Sequence, residues 1–320
     1  MDLFRDKEKI GFSRKVIPVL VMAVLSILLN FPYGHSAPTN KLETFASPEE
    51  AFNRLAEAIR SGNQSQLVAL IGPQGKTIFS SEARISNQTK DRFLQEYSEQ
   101  KRLEKISGNL VVLHVGREDW PWPIPLVKVG QKWRFDIERG RKEILARRIG
   151  GNEVSAVQVC LAFVDAQRDY AREHLAAKGM GEYAQKFLSD QGKENGLCWT
   201  SNQEEKQGPL GPLLAKACPT DHSGLSRGEK PAPYYGYYYK ILIRQGPGAR
   251  GGAYNYIVDG KMIGGFALVA YPAFFRHSGI MTFIVNQDGQ VYEKNLGEKT
   301  GEIAKAMEEF NPDKTWKKVD

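Results

Sequence analysis

The chain has 320 residues, of which 41% are hydrophobic and 25% are charged, and its formal net charge is +7. This composition is typical of a folded globular protein and excludes a largely disordered chain. The length is sufficient for one large or two modest hydrophobic cores, and we expect two domains.

An export signal is predicted for residues 1–37. A positively charged start leads into an apolar run over residues 16–31, which a break at Pro32 and Gly34 and then small residues follow. That order is typical of a secretory signal peptide, and the run is too short and interrupted for a membrane span of about 20 residues. We expect cleavage after Ala37, although Pro38 is unfavourable there and leaves an uncleaved anchor as the alternative. The protein is therefore expected in the periplasm or cell envelope, away from nucleic acid, with membrane contact only through an uncleaved signal.

Helices followed by an antiparallel sheet are predicted for residues 45–138. Ser47, Pro48 and Glu50 form the capping box of a first helix, which ends at Gly62. The remaining elements predicted from the hydrophobic pattern are helices over 66–71 and about 89–100, and strands over 110–115, 124–129 and 132–137, the last two joined at Gly130-Gln131. This order indicates a small α+β domain with a curled sheet.

A second domain, a long helix packed on a second antiparallel sheet, is predicted for residues 139–318. A short helix over 143–149 is expected to end at Gly150-Gly151, and Asn152 is expected to cap a long helix from Glu153 to about residue 177. The remaining predicted elements are a short helix over 210–217 in the loop-rich segment 190–233, strands over 235–244, 265–271, 281–286 and 290–294, and a final helix over 302–310. The fold class of the whole chain is therefore α+β.

Three cysteines are present, all of them after the predicted signal. Cys160 lies in line with Val157 and Val164 on the predicted long helix, which favours a buried thiol. An oxidising compartment permits a disulfide bond, and Cys198 and Cys218 are the predicted pair.

Several strings along the chain together identify a family resemblance. They are residues 119–128 (DWPWPIPLVK), 133–136 (WRFD), 147–150 (RRIG), 152–153 (NE), 233–239 (PYYGYYY), 264–272 (GGFALVAYP) and 278–286 (SGIMTFIVN). With them the chain resembles an exported bacterial family catalogued as a domain of unknown function, DUF2950, over about residues 45–318. The resemblance implies export and supplies no activity, cofactor or catalytic residue. The C-terminal half also resembles the helix-then-sheet head of pilins and pseudopilins, but its helix is internal, so a fibre subunit is not implied.

No nucleotide, metal or other cofactor is predicted. Residues 72–77 (GPQGKT) imitate the end of a phosphate-binding loop, but Leu70 stands where the first glycine is required and Pro73 removes an amide donor. The histidines after the signal include no pair with the helical spacing of metal ligands; they are His114, His174, His222 and His277.

Two places carry weak catalytic candidates. His277 adjoins Ser278 in a loop between two predicted strands, and Glu118 adjoins Asp119 beside two tryptophans. A nucleophile needs an oriented base, and two suitably spaced carboxylates are needed to cleave a glycan. No Gly-x-Ser-x-Gly motif is present, so loop polarity and a tight turn are the favoured interpretations, and no catalytic residue is assigned.

Aromatic residues supply the candidates for ligand binding. Such side chains stack on sugars or pack in a core, and packing is the more frequent outcome in strands. The candidates are Trp120 and Trp122 in the Pro-rich turn, Tyr235, Tyr237 and Tyr239 on one face of a strand, and Arg250 in the Gly-rich segment 246–252.

Three functional hypotheses follow. The leading one is a non-catalytic envelope or periplasmic binding or assembly module, whose partner is an unknown envelope component or protein. The alternative is an exported hydrolase acting on cell-wall or glycan material. The third, a structural partner of a secretion or pilus system, rests on the pilin-like half alone.

Overall fold

A computed structural model describes residues 42–72, 87–179, 181–187, 189–190, 193, 195–198 and 233–319. The predicted signal, most of the string 72–77, the predicted helix over 210–217, Cys218 and His222 lie outside these residues. The chain divides into two compact units, the first ending at Arg147 and the second beginning at Arg148. Among the described residues, no helix combines the length and apolar character that a membrane span requires.

The first helix of unit 1, α1 (Pro48–Ser61), has the predicted cap. The Ser47 Oγ accepts a hydrogen bond from the Glu50 N–H at 3.2 Å, and the Glu50 carboxylate accepts one from the Ala46 N–H at 2.8 Å. Gly62 ends the helix with a left-handed φ of 64°. These bonds satisfy backbone groups that a helix end leaves without partners, so the predicted helix is confirmed.

The rest of unit 1 is two further helices and an antiparallel sheet with the strand order β1-β2-β4-β5, in which β3 pairs with β2. The elements are α2 (Gln64–Ile71), α3 (Asn87–Glu99), β1 (Lys101–Ser107), β2 (Leu110–Val115), β3 (Trp120–Pro121), β4 (Leu126–Val129) and β5 (Lys132–Phe135). The predicted hairpin is confirmed, since Val129 pairs with Lys132 around Gly130. Strand β1 was not predicted, because it is a charged edge strand that is mostly exposed and shows no apolar alternation.

A single helix, α4 (Ile137–Lys178), replaces the two helices predicted in this part of the chain. It has 42 residues and runs through Gly150 and Gly151, so the predicted break is wrong. A glycine inside a helix costs only about 1 kcal/mol, which packing of the following turns offsets. Asn152 is not a cap, because its side chain bonds a distant loop of unit 2.

Unit 2 contains a five-stranded antiparallel sheet with the strand order β15-β13-β12-β11-β6. Its strands are β6 (Tyr237–Leu242), β11 (Ala267–Pro272), β12 (Thr282–Asn286), β13 (Tyr292–Lys294) and β15 (Lys317–Lys318). The predicted turn between β12 and β13 is confirmed: Thr282 pairs with Lys294, and Gly289 has a φ of 79°. The second half of α4 shares one hydrophobic core with this sheet; for example, the ring of Phe163 lies 5.7 Å from that of Phe266, which directly precedes β11.

Short elements complete unit 2. They are β7 (Arg244–Gln245), β8 (Tyr254–Asn255), β9 (Ile257–Val258), β10 (Lys261–Met262), α5 (Thr300–Ala306) and β14 (Glu309–Phe310). The predicted final helix extended too far, because Met307 is extended and the Lys240 Nζ donates to the carbonyls of Lys305 and Met307. Strand β14 then pairs in parallel with β7.

The predicted fold class is confirmed: helices and an antiparallel sheet come first, and a long helix on a second antiparallel sheet follows. Cys160 of α4 is free and fully buried in the core of unit 2, as predicted. Burial raises the pKa of its thiol, because the thiolate would lose its hydration.

Candidate functional site

Two neighbouring loops of unit 2 carry exposed aromatic, arginine and histidine side chains. The turn 234–236 precedes β6, and the loop 273–280 joins β11 to β12. Phe274 is 66% exposed and Tyr235 is 42% exposed, and Arg276 and His277 are also exposed. We name these four side chains the aromatic loop surface.

The backbone of both loops is strained at residues of this surface. Tyr235 has a φ of 47° and Arg276 a φ of 63°, in the left-handed region that large side chains seldom occupy. Among the described residues, only Asp119 and Asp259 share this feature without being glycine. Strain of this kind costs about 1–3 kcal/mol and concentrates at functional sites. Its presence in both loops makes them the candidate site.

One hydrogen bond joins the two loops, and others brace the loop 273–280 internally. The Ala273 N–H donates to the Gly236 carbonyl at 2.9 Å, and the Arg276 N–H donates to the Gly279 carbonyl at 2.8 Å. The buried Ser278 Oγ accepts from the Phe274 N–H at 3.0 Å and lies 3.2 Å from the Phe274 carbonyl. The backbone carrying Phe274 is therefore fixed before any ligand binds.

Helix α4 anchors the same loop from beneath. The Asn152 Nδ2 donates to the Ser278 carbonyl at 2.8 Å. The Glu153 Oε1 accepts from the N–H groups of Ile280 and Met281 at 2.8 and 3.0 Å. The sequence reasoning missed this role, although the dipeptide Asn152-Glu153 was among the strings that carried the family resemblance.

Gly236 and Gly279 are glycines because of close approach at this site. A Cβ on Gly279 would overlap the Tyr237 hydroxyl and lie 2.6 Å from its Cζ, and a Cβ on Gly236 would lie 2.6 Å from the Asn152 Nδ2. Real Cβ atoms do not approach other atoms so closely. The glycines in the strings 233–239 and 278–286 therefore serve the packing of the two loops.

Two of the predicted binding residues lie in the cores. Tyr237 is fully buried, and its hydroxyl donates to the Met281 carbonyl at 2.9 Å; burial raises its pKa. Trp122 is buried in unit 1, with its ring 4.7 Å from that of Phe93. Neither side chain offers a surface to a ligand, so both are removed from the candidate site.

The other predicted binding residues on the tyrosine strand and in the Trp turn differ in their surroundings. Tyr239 is partly buried, and its hydroxyl lies 3.4 Å from the Tyr234 carbonyl. Trp120, in unit 1, is 45% exposed, but the Arg147 guanidinium lies over its ring at 4.7 Å. Arg147 is also paired with Glu143 at 2.7 Å, so one face of the Trp120 ring is already covered.

Arg250 is exposed on a loop whose conformation depends on Gln245. The buried Gln245 Nε2 donates to the carbonyls of Arg250 and Gly252 at 2.9 and 2.7 Å. Its Oε1 accepts from the Tyr256 hydroxyl at 3.0 Å. Gln245 was not singled out in the sequence, because a polar residue at the end of a strand carries no local sign of burial.

His277 and Ser278 do not form a catalytic pair. The His277 Nδ1 lies 3.2 Å from the Phe275 carbonyl, and the Ser278 Oγ is bound to the backbone of Phe274. Within the described ranges, no carboxylate lies at ion-pair distance from His277. The orienting acid that a triad requires is therefore absent from this part of the structure.

Asp119 belongs to an ion-pair cluster on the sheet of unit 1. Its carboxylate accepts from Arg102 and lies 3.2 Å from the His114 Nδ1, while the His114 Nε2 lies 2.7 Å from a Glu104 carboxylate oxygen. Chiefly through the Arg102 hydrogen bonds, this cluster lowers the pKa of Asp119. Glu118 is exposed and takes no part in it, so the predicted acid–base pair is not assembled.

The thiols and possible metal ligands add no further site. Among the described residues, no group of three or more His, Cys, Asp or Glu side chains is arranged to hold a metal. Cys198 is disulfide-bonded, and because Cys218 lies outside the described residues, its pairing with Cys198 stays a prediction.

Comparison with known proteins identifies a family and no function. The family model described as "Protein of unknown function (DUF2950)" matches residues 42–319. No curated protein and no solved structure matches the chain. The pilin-like resemblance of the C-terminal half therefore has no support.

Proposed function

The chain belongs to the DUF2950 family of proteins of unknown function, and from this premise we propose that it is an exported bacterial binding module without catalytic activity. It works in the periplasm or cell envelope. Its ligand contacts the aromatic loop surface of unit 2, formed by Tyr235, Phe274, Arg276 and His277.

The observation that carries the proposal is a rigid loop with an exposed phenylalanine. Leaving a Phe side chain in water forgoes about 1.5–3 kcal/mol of burial, and the strained Tyr235 and Arg276 add a further cost. A ligand that covers Phe274 would recover the lost burial, and the fixed backbone would lower the entropy cost of binding.

Two of the catalytic candidates are held in structural contacts. Ser278 holds the loop backbone, and Asp119 is paired with Arg102.

Two features support the proposed location. The pattern of residues 1–37 is that of a signal peptide. The disulfide bond at Cys198 also favours export, because structural disulfides persist mainly outside the reducing cytosol. Fractionation of the producing cell tests this part of the proposal, and recovery of the protein from the cytosolic fraction alone would contradict it.

The binding surface is tested by a thermal-shift screen of the full chain against cell-wall fragments, glycans and purified envelope proteins. A ligand of the folded state raises the Tm in a saturable way. We expect the shift to disappear in the double variant Phe274→Ala/Tyr235→Ala. It should persist in Val258→Ala/Ile263→Ala, which removes comparably exposed apolar side chains elsewhere in unit 2. An equal shift in both variants would place the ligand elsewhere, and cleavage of any panel member would contradict a non-catalytic role.

A further inference from the structure

The composition of the aromatic loop surface fits one class of ligand better than others. Its exposed members are two aromatic residues, an arginine and a histidine, and the exposed Glu298 borders them at Arg276. Protein interfaces are enriched in aromatic residues and arginine and depleted in lysine and acidic residues. Phe274 also lacks the polar edge with which tyrosine and tryptophan hydrogen bond while they stack.

The geometry of the loop points in the same direction. Sites for small molecules are concave and enclose most of the ligand, whereas Phe274 is 66% exposed on a connection between two strands. An aromatic side chain that stands out into solvent on a hydrogen-bonded backbone suits insertion into a pocket on another protein, as interface anchors do.

The charge of Arg276 indicates which groups would border the pocket on the partner. Arg276 makes a 3.4 Å ion pair with Glu298, but the two side chains are 69% and 79% exposed, so water competes with this pair and it is easily exchanged. His277 is the next residue of this exposed loop. A partner that carries carboxylates next to its pocket would replace Glu298 as the Arg276 partner and would match the sign of this surface.

We infer that the ligand of the aromatic loop surface is an envelope protein with an apolar pocket for Phe274 and carboxylates on the rim that faces Arg276. This inference rests on the proposed function and gives its partner a chemical class.

Site-specific photo-crosslinking identifies the occupant. The full chain is produced in its own cell with p-benzoylphenylalanine in place of Phe274, and separately in place of Ile263 as the matched exposed control. We expect a protein adduct from position 274 that position 263 does not give. An adduct with a second copy of this chain, or with glycan alone, would overturn the inference.

The captured protein is then purified and its affinity for the full chain is measured. We expect Phe274→Ala and Arg276→Glu each to weaken binding at least tenfold, and Ile263→Ala to change it less than twofold. Affinity should fall as salt rises, because the rim contact is ionic. Unchanged affinity in both site variants would overturn the inference, provided that their Tm values match that of the parent chain.

The inference and the proposed function fail separately. A glycan whose thermal shift depends on Phe274 would leave the proposed binding module standing and overturn the protein partner. If neither a crosslink nor any thermal shift depends on Phe274, both are wrong.

Discussion

Gly279 has no room for a side chain, because the buried ring of Tyr237 lies directly against it. The same is true of Gly236 beside Asn152. These contacts join the core of unit 2 to the aromatic loop surface, so single residues beneath the surface control its position.

We expect Gly279→Ala to destabilise the protein by about 1–3 kcal/mol, the usual effect of overpacking a filled site. The control is Gly301→Ala in α5, where an added Cβ meets nothing within 4 Å. Urea unfolding of both variants checks this, and equal stability of the two would show that Tyr237 can move aside.

The raised pKa of Glu293 makes the stability of the protein depend on pH. Burial, followed by the charge of Glu153, raises its pKa, while Lys317 lowers it. The folded protein therefore holds this proton more tightly than the unfolded chain. The free energy of unfolding then falls as pH rises from about 4.3, the unfolded pKa of glutamate, through the raised pKa.

The variant Glu293→Gln carries no such charge, so we expect it to be more stable than the parent at pH 7 and to lose this advantage toward pH 4. Glu173→Gln, at an exposed position of α4, should show no comparable trend. Urea unfolding between pH 4 and pH 8 provides the measurement. A variant that is less stable at pH 7 would mean that the Lys317 contact outweighs the other two influences.

Helix α4 continues through a sequence that locally favours a helix end. Gly150 and Gly151 predict a break, yet the helix is continuous there and an added Cβ at either position meets nothing within 4 Å. At Gly140 of the same helix, a Cβ would lie 2.8 Å from Ile124. The three glycines therefore differ in packing while sharing one secondary structure.

We expect Gly150→Ala and Gly151→Ala each to stabilise the protein by about 0.5–1 kcal/mol, because alanine loses less backbone entropy in a helix. Gly140→Ala is the matched comparison and should destabilise it. Helix content and unfolding free energy measured for all three variants decide the matter. Destabilisation by the first two would indicate that this stretch needs to bend.

At the scale of the whole molecule, the oxidation state of the cysteines depends on the compartment in which the protein folds. The chain has three cysteines; Cys160 is free and buried, and Cys198 is disulfide-bonded. A buried thiol reacts slowly with modifying reagents.

Protein isolated without reductant should therefore show no reactive thiol when native, one when denatured and three when denatured and reduced. Thiol titration with a chromogenic disulfide checks these numbers, and Cys160→Ala should remove the single thiol of the denatured sample. Three thiols in the denatured, unreduced protein would argue against an oxidising compartment.

The sequence by itself determined α1, the two hairpins, the α+β class and the family. Caps, turns and hydrophobic periodicity act between residues that are close along the chain. The helix cap formed by Ser47 and Glu50 and the turn at Gly130 could therefore be predicted from the local sequence. Strand β1 was missed because this edge strand is mostly charged and exposed and shows no apolar alternation.

Only the tertiary structure decided the candidate site. The bond between Asn152 and Ser278 joins residues 126 positions apart, and no local pattern records such a contact. The same holds for Tyr237, which a strand pattern places on one of two faces without saying which face is buried. Phe274 is a candidate binding residue because the backbone of its loop is fixed and its ring is exposed. Both are properties of the folded chain, so the local sequence does not show them.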